Sequence, residues 1–372
     1  MINSGYQGRT VPTEFGHSKP APKMPYVRLG KSGLKLSRLI LGMATYGTKK
    51  DVAWRIEEEE ALQHLKRAWE LGFNTFDTSN FYCNGISEEI LGKFLKTVPR
   101  ESVVVMTKSF HPVGDSEKQG PAGLTMTSGN NRKHIFDNVK LALKRLDTDY
   151  IDVLQLSLPG IRGSAQLMKA LQLHRFDYET PIEETMTALH DVVKAGFLRY
   201  IGISSCWAWQ FHAMQNYALN NNLTPFVNCQ NLYNLLYREE EREMMPLLKY
   251  LGVGSTPWSP LARGHLARPL SRAYETVRST SDAYHDEGLL GAEWEKEVNR
   301  RVEQLAEKRG YNMAQIGLAW VLHKDAVAAP IVGVSKIERF EETLAALEIE
   351  LSVEEIKFLE EPYQPRSTAS FV

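Results

Sequence analysis

From position 39 onward the sequence repeats one unit eight times: a short, mostly apolar run, then a stretch whose apolar side chains recur at helical spacing. The apolar runs are LILGMAT (39–45), NTFDTSN (74–80), SVVVMTKSF (102–110), YIDVLQL (150–156), LRYIGISS (198–205), VNCQNLY (227–233), VGSTPWSPL (253–261) and APIVGVS (329–335). Between and after them, helical patterns occupy 57–72, 87–96, 133–146, 181–196, 208–221, 240–252, 294–309, 313–323 and 336–348. In the first, Ala61, Leu62, Leu65, Ala68 and Trp69 share one face; in the fourth, Ile182, Met186, Leu189 and Val193 do. Thr180, Pro181 and Glu183 read as cap, first-turn proline and capping-box acid of that fourth helix, and Ser352 with Glu355 caps one more at the C-terminal end. Strands apolar on both faces belong to parallel sheets covered by helices. Eight such units predict an α/β fold, a closed (β/α)8 barrel of the TIM type with an extra C-terminal helix. An open doubly wound sheet is disfavoured: no GxGxxG follows the first strand, and the fragment GVGS (252–255) precedes a strand instead of opening a helix.

The 372 residues suit one barrel. Residues 1–25 are polar and rich in Gly and Pro, and read as a flexible tail before a single domain at 26–365. With 44 Lys and Arg against 45 Asp and Glu, no global field draws the chain to nucleic acid or to an anionic membrane. The N-terminal residues lack the apolar core of a secretory signal, and no apolar run is long enough to span a bilayer; both point to a cytoplasmic protein. Cys83, Cys206 and Cys229 are odd in number and none forms a CxxC, which predicts reduced thiols, no disulfide framework and no metal site. His111, His134 and His190 lack metal spacing, and the acidic run 57–60 suits a solvated first turn of a helix. Trp207 and Trp209 read as helix-start packing that could border a pocket.

Barrel enzymes carry their chemistry at the C-terminal ends of the strands. That rule selects Asp77 and the nearby Tyr82 after the second strand and Lys108 at the end of the third. It also selects Ser204 and Ser205 on the fifth, Gln230 on the sixth, Trp258 and Ser259 on the seventh, and Gly333 and Ser335 on the eighth. A phenol is too weak an acid to protonate an alkoxide readily at neutral pH. An adjacent ammonium favours its anion, and a carboxylate holds that ammonium charged. Asp77, Tyr82 and Lys108 therefore make a coherent proton-donating set; read one by one, they are equally a salt bridge and a half-buried tyrosine.

The run FDTSNFYCNGISEEILG (76–92) resembles the signature of the aldo-keto reductases, with Asp-Thr before a Tyr and Ser-Glu after it. VMTK (105–108), YIGISS (200–205), QNLYN (230–234), PWSPLARG (257–264) and APIVGVSK (329–336) match the family in order, over about residues 25–365. The likeness is greatest to the fungal-type branch with aryl-alcohol dehydrogenases and versiconal hemiacetal acetate reductase. The resemblance implies NADPH-dependent reduction of an aldehyde or ketone, a small-molecule carbonyl. It implies Tyr82 as proton donor, Lys108 as its activator and Asp77 as the anchor of Lys108. Ser204, Ser205 and Gln230 would hold the nicotinamide carboxamide, although the family often has Asn at the place of Ser205. Trp258 would stack on the ring, Ser259, Leu261 and Gly264 would line the pyrophosphate loop, and Gly333, Ser335, Lys336, Arg339 and Glu342 would hold the adenosine end. Ser335 and Lys336 read as a helix start, where free N–H groups attract phosphate. Lys336 and Arg339 supply two cations suited to a 2′-phosphate, hence NADP(H) over NAD.

The chain departs from the family at the fourth strand. There the family pattern resembles YIDVLQLHRFD with a catalytic His; here Ser157 takes that register and His174 comes 17 residues later. Leu-Gln-Leu occurs at both 154–156 and 171–173, and removing 157–173 restores the pattern. Either a loop has been inserted at the rim or a short intron is read through in frame. On both readings His174 is the candidate fourth catalytic residue. Two other classes fit the fold: a cofactor-bound regulatory subunit, and a lyase using Lys108 as a Schiff-base nucleophile. The cofactor motifs disfavour the lyase, while the inserted segment is what would impair an enzyme. Neither the substrate nor the oligomeric state is encoded legibly.

Overall fold

The computed structural model describes residues 24–50, 52–110, 112–114, 128–156, 176–282 and 290–368. A hairpin of β1 (Tyr26–Arg28) and β2 (Lys35–Ser37) precedes eight parallel strands. These are β3 (Ile40–Gly42), β4 (Thr75–Asp77), β5 (Val104–Ser109), β6 (Ile151–Leu156), β7 (Leu198–Ser204), β8 (Phe226–Gln230), β9 (Gly254–Ser255) and β10 (Ile331–Val332). From β3 to β9 each pairs with the next in chain order, and β10 pairs with β3. The ring is closed between β9 and β10 by a parallel bridge of Ser255 with Val327 and by the Ile331 amide donating to Pro257 O at 2.9 Å. The expected α/β barrel is therefore observed.

Helices cover the outside: α1 (Glu58–Glu70), α2 (Ile86–Leu95), α3 (Arg132–Leu146), α4 (Ile182–Lys194), α5 (Ala208–Asn220), α6 (Met244–Leu251), α7 (Val277–Ser281), α8 (Glu293–Arg309), α9 (Met313–Leu322), α10 (Arg339–Ala345) and α11 (Val353–Glu360). Side chains alternate along a strand, so each strand serves two cores. Val105, Leu154, Leu156, Ile201 and Ile203 pack outward against the helices. Ile40, Val104, Met106, Val153 and Ile331 fill the lower interior together with Leu29 and Leu36 of the hairpin. The hairpin seals that end. Gly30 turns it at φ +57°, with a Cβ position only 2.4 Å from Gly252 O, so only glycine admits the approach. Moving up the inward rows, the residues change from apolar to polar: Met106 gives way to Lys108 and Val153 to Gln155.

Several expected element ends shift: the first, second and eighth strands are shorter than 39–45, 74–80 and 329–335, and residues 240–243 precede the sixth helix. The seventh strand is two residues long, not the nine of 253–261, because Pro257 and Pro260 lack the amide hydrogens a ladder uses. Thr180 does not cap α4; Pro181 takes the cap position, and the Thr180 hydroxyl donates instead to Asp177 Oδ2 at 2.7 Å. Asp177 also accepts from the Asn130 and Glu179 amides, and that local bonding captures the hydroxyl. The last β-to-α connection is longer than expected: α10 starts at Arg339, leaving Ser335 and Lys336 in the preceding turn. The Ser352–Glu355 capping box on α11 is present as expected. Cys83, Cys206 and Cys229 are all free and buried. No helix of the described residues is long and apolar enough to cross a membrane.

Candidate active site

The signature run folds into a braced loop. Thr78 and Ser87 hydroxyls meet at 2.9 Å, and Ser87 Oγ also donates to Met43 O. Glu88, fully buried, accepts from Thr107 Oγ1 and Arg145 Nε, both at 2.6 Å; burial raises its pKa against the pull of Arg145. Between these anchors, Cys83, Asn84 and Gly85 all take positive φ (51°, 54° and 91°). Left-handed backbone costs a non-glycine residue roughly 1–2 kcal/mol, so the turn needs holding. Arg55 Nη1 (2.7 Å) and the Thr48 amide (3.3 Å) point at Cys83 Sγ, and Asn84 Oδ1 accepts from the Gly114 amide at 2.9 Å. Tyr82 opens this turn, half-buried.

The three selected residues converge. Lys108 Nζ lies 2.6 Å from Asp77 Oδ2, 2.9 Å from Thr78 O and 3.2 Å from Tyr82 Oη. Burial pushes the Lys108 pKa down, but the Asp77 carboxylate and the Tyr82 oxygen outweigh it and the net shift is upward. An ammonium thus persists in a buried position and donates to the phenol oxygen.

Sequence reasoning missed what stands behind Asp77. Its Oδ1 accepts from Gln230 Nε2 at 2.9 Å and Gln155 Nε2 at 3.1 Å. Gln155 Oε1 accepts from Asn228 Nδ2 at 3.2 Å, and Asn228 Oδ1 from Thr256 Oγ1 at 2.8 Å. This file of amides crosses the upper interior, all of it buried. Inward register at the strand ends was the available signal: Gln155 sits opposite Lys108 in the β5–β6 pairing.

Ser204, Ser205, Gln230 and Trp258 also gather together. Ser204 Oγ donates to Gln230 O at 2.8 Å, and Trp258 Nε1 to Ser205 Oγ at 3.3 Å. The loop after β9 runs through left-handed residues Ser259, Ala262, Arg263 and Gly264. Leu261 lies within it, half-buried. Asn234 Nδ2 ties it down through Ser259 O. Gly333 has no atom within 4 Å of a Cβ position, leaving its backbone open on that side. Ser335, Lys336 and Glu342 are exposed; Arg339, half-buried, donates to Ser335 Oγ at 3.0 Å. Neither Lys336 nor Arg339 has an acidic partner among the described residues. Arg268 joins them unforeseen. It lies about as close to Gly264 as ordinary contact allows (3.6 Å from a Cβ position), and burial, with Arg339 and Arg272 beside it, lowers its pKa. His174 and His111 lie outside the described residues, and β6 keeps both its neighbours through Leu156. Trp207 is half-buried and Trp209 exposed.

A closed parallel barrel with Tyr, Lys and Asp joined at its C-terminal mouth, and polar loops around it, has the layout of a barrel enzyme with its chemistry at the strand ends. The comparisons agree. The model of the aldo/keto reductase family matches residues 38–161 and 164–364, the break falling within 157–173. The chain is 45% identical to a Schizosaccharomyces pombe protein named as an aryl-alcohol dehydrogenase, over 91% of this chain and 96% of that one. It is 42% identical to versiconal hemiacetal acetate reductase of Aspergillus parasiticus (92% and 98% covered) and 42% identical to an aldo-keto reductase of Metarhizium robertsii (96% and 95% covered). The chain belongs to the aldo/keto reductase family.

Proposed function

We propose that the protein reduces an aldehyde or ketone to the alcohol with NADPH, Tyr82 giving the proton. The observation that carries this is the single Lys108 ammonium shared by Asp77 (2.6 Å) and Tyr82 (3.2 Å). A charged donor on the phenol oxygen stabilises the phenolate left after proton transfer, which makes the phenol a competent acid. Asp77 keeps the lysine charged despite burial, and Gln155 and Gln230 fix the carboxylate.

The residues around the mouth fit the dinucleotide. The pattern of left-handed backbone after β9 and the open side of Gly333 leave main chain accessible to phosphate and sugar oxygens, and Arg268, Lys336 and Arg339 supply cations. Ser204, Ser205 and Gln230 would hold the carboxamide, Trp258 the ring, Ser259, Leu261, Gly264 and Arg268 the pyrophosphate, and Gly333, Ser335, Lys336, Arg339 and Glu342 the adenosine end. When bound, the cofactor supplies the hydride taken up by the carbonyl carbon. Tyr82 delivers its proton to the carbonyl oxygen, and His174 would position that oxygen.

An aromatic aldehyde is the first substrate to try, since the Schizosaccharomyces pombe relative is named as an aryl-alcohol dehydrogenase. Tyr82→Phe should retain NADPH binding and lose about 10²–10⁴-fold in kcat. Turnover near the parent's would remove Tyr82 from the reaction.

A further inference from the structure

Glu240 lies behind the proposed nicotinamide subsite and is not part of the set above. It is 3% exposed on a 3-10 turn, Glu239–Glu241, between β8 and α6. No cation neutralises it among the described residues; its neighbours in charge are Glu239 on its own turn and the Cys229 thiol on β8. Its Oε1 is without a hydrogen-bond partner among the described residues, and its Oε2 accepts from Asn231 Nδ2 at 2.6 Å. A buried carboxyl kept at such expense calls for a reason, because a leucine there would avoid the desolvation.

Asn231 shows what the carboxyl accomplishes. With its Nδ2 engaged by Glu240, its Oδ1 faces the other way and accepts the Ser205 amide at 2.8 Å and Cys229 Sγ at 3.5 Å. Its main-chain oxygen accepts the Trp258 amide at 3.0 Å. Ser205 stands at φ +56°, a left-handed conformation that a serine holds only when its surroundings insist. The two acceptors on its amide, Asn231 Oδ1 and Gln230 O at 3.1 Å, provide that insistence. Ser205 Oγ in turn receives Trp258 Nε1. One asparagine therefore joins the backbones of two residues that would face the nicotinamide. An amide can flip, and the flipped Asn231 would present hydrogens to the Ser205 N–H.

We propose that Glu240 and Asn231 are positioning residues for the nicotinamide end of the cofactor: Glu240 locks the Asn231 amide in the one orientation that holds Ser205 and, through it, Trp258. The proposal rests on the reading that Ser205 and Trp258 contact the cofactor. It adds that affinity at this end depends on an acceptor at position 240 and not on its charge.

The test measures dissociation constants for NADPH by tryptophan fluorescence, with steady-state KM and kcat, for Glu240→Gln, Glu240→Met, Asn231→Ala and the double variant Glu240→Met with Asn231→Ala. A glutamine can still accept from Asn231 Nδ2, so Glu240→Gln should bind as the parent does. Glu240→Met should weaken NADPH binding about tenfold, the equivalent of one lost hydrogen bond, while thermal stability is kept because a buried carboxyl has gone. Asn231→Ala should lose a similar factor, and the double variant no more than the worse single one, since both break one connection. Rescue by glutamine separates this role from a merely structural one. Equal affinity in Glu240→Met and the parent, or additive losses in the double variant, would overturn the proposal. Should Glu240→Met not fold, a loss of affinity in Glu240→Gln equal to that in Asn231→Ala would overturn it, and parent-like affinity there would support it. A parent protein that binds no nicotinamide dinucleotide would instead overturn the underlying assignment of the site.

Discussion

Asp77→Asn replaces one oxygen with an amide nitrogen and leaves the shape intact, which makes it a sharp probe of the site. In the parent, every neighbour of the carboxylate is a donor: Lys108 on Oδ2, Gln155 and Gln230 on Oδ1. Turned either way, the asparagine sets its NH2 against donors, so at least one bond becomes a repulsion. The pair is deeply buried, with side-chain exposures of 5% for Lys108 and 2% for Asp77. Removing one member of a buried pair typically costs about 3–5 kcal/mol, because the other charge is left uncompensated. Lys108 has an alternative: with the carboxylate gone, burial is the main influence remaining and its pKa falls. A neutral amine no longer stabilises the phenolate of Tyr82. The expected outcome is a lower melting temperature by several degrees, kcat reduced about 10²–10⁴-fold, and NADPH affinity changed far less. Stopped-flow single turnovers, melting curves and fluorescence titration measure the three. A variant that turns over within about threefold of the parent would refute the idea that Asp77 keeps Lys108 charged.

Lys336→Glu should abolish most of a preference for NADPH over NADH that spans at least about tenfold in the parent, since each charge-assisted bond to a phosphate contributes roughly 1.5–3 kcal/mol; equal parent affinities for the two cofactors would remove the 2′-phosphate assignment. Burial raises the Glu240 pKa to about 8, above its unfolded value, so the native state keeps a proton the unfolded chain has released. Stability tied to this group is therefore lost as pH climbs from about 5 to 8, at up to roughly 1.4 kcal/mol per pH unit, and Glu240→Gln should flatten that part of the profile in chemical denaturation; parallel profiles would show that Glu240 is ionised at neutral pH. Deleting residues 157–173 brings Leu156 directly to His174 and should raise kcat/KM without lowering stability; a slower deletion variant would instead make the segment part of the substrate site.

The barrel was legible because parallel strands buried on both faces leave a signal that few other arrangements produce. Tyr82, Lys108 and Asp77 were legible because strand ends are few and their chemistry interlocks. Element ends were harder. Thr180 and Pro181 spell a helix start, yet Asp177, only three residues earlier, takes the hydroxyl, a competition that local propensity does not reveal. Ser335 and Lys336 were placed on a helix that begins later, because a charged, amphipathic run reads alike as turn or first turn. Gln155, Asn228 and Asn231 escaped notice for another reason: an amide among apolar strand residues declares its role only once the partner strands are known. Arg268 has meaning only beside Gly264 and Arg339, which are near in space and not both near in sequence.

The hairpin under the barrel has a consequence for the traffic of protons. Leu29 and Leu36 stopper the lower end, and above them Ile40, Met106 and Val153 fill the bore without a polar atom in their side chains. Among the described residues this apolar plug separates Tyr82 from the solvent below. On the proposed role of Tyr82, each proton that the phenol gave up would be replaced through the same mouth that admits the carbonyl compound. On the same proposal a bound substrate would stand in that doorway, and the acid would be recharged between turnovers and not during them. Such a reductase would be a single-shot device, reloaded each time its product leaves.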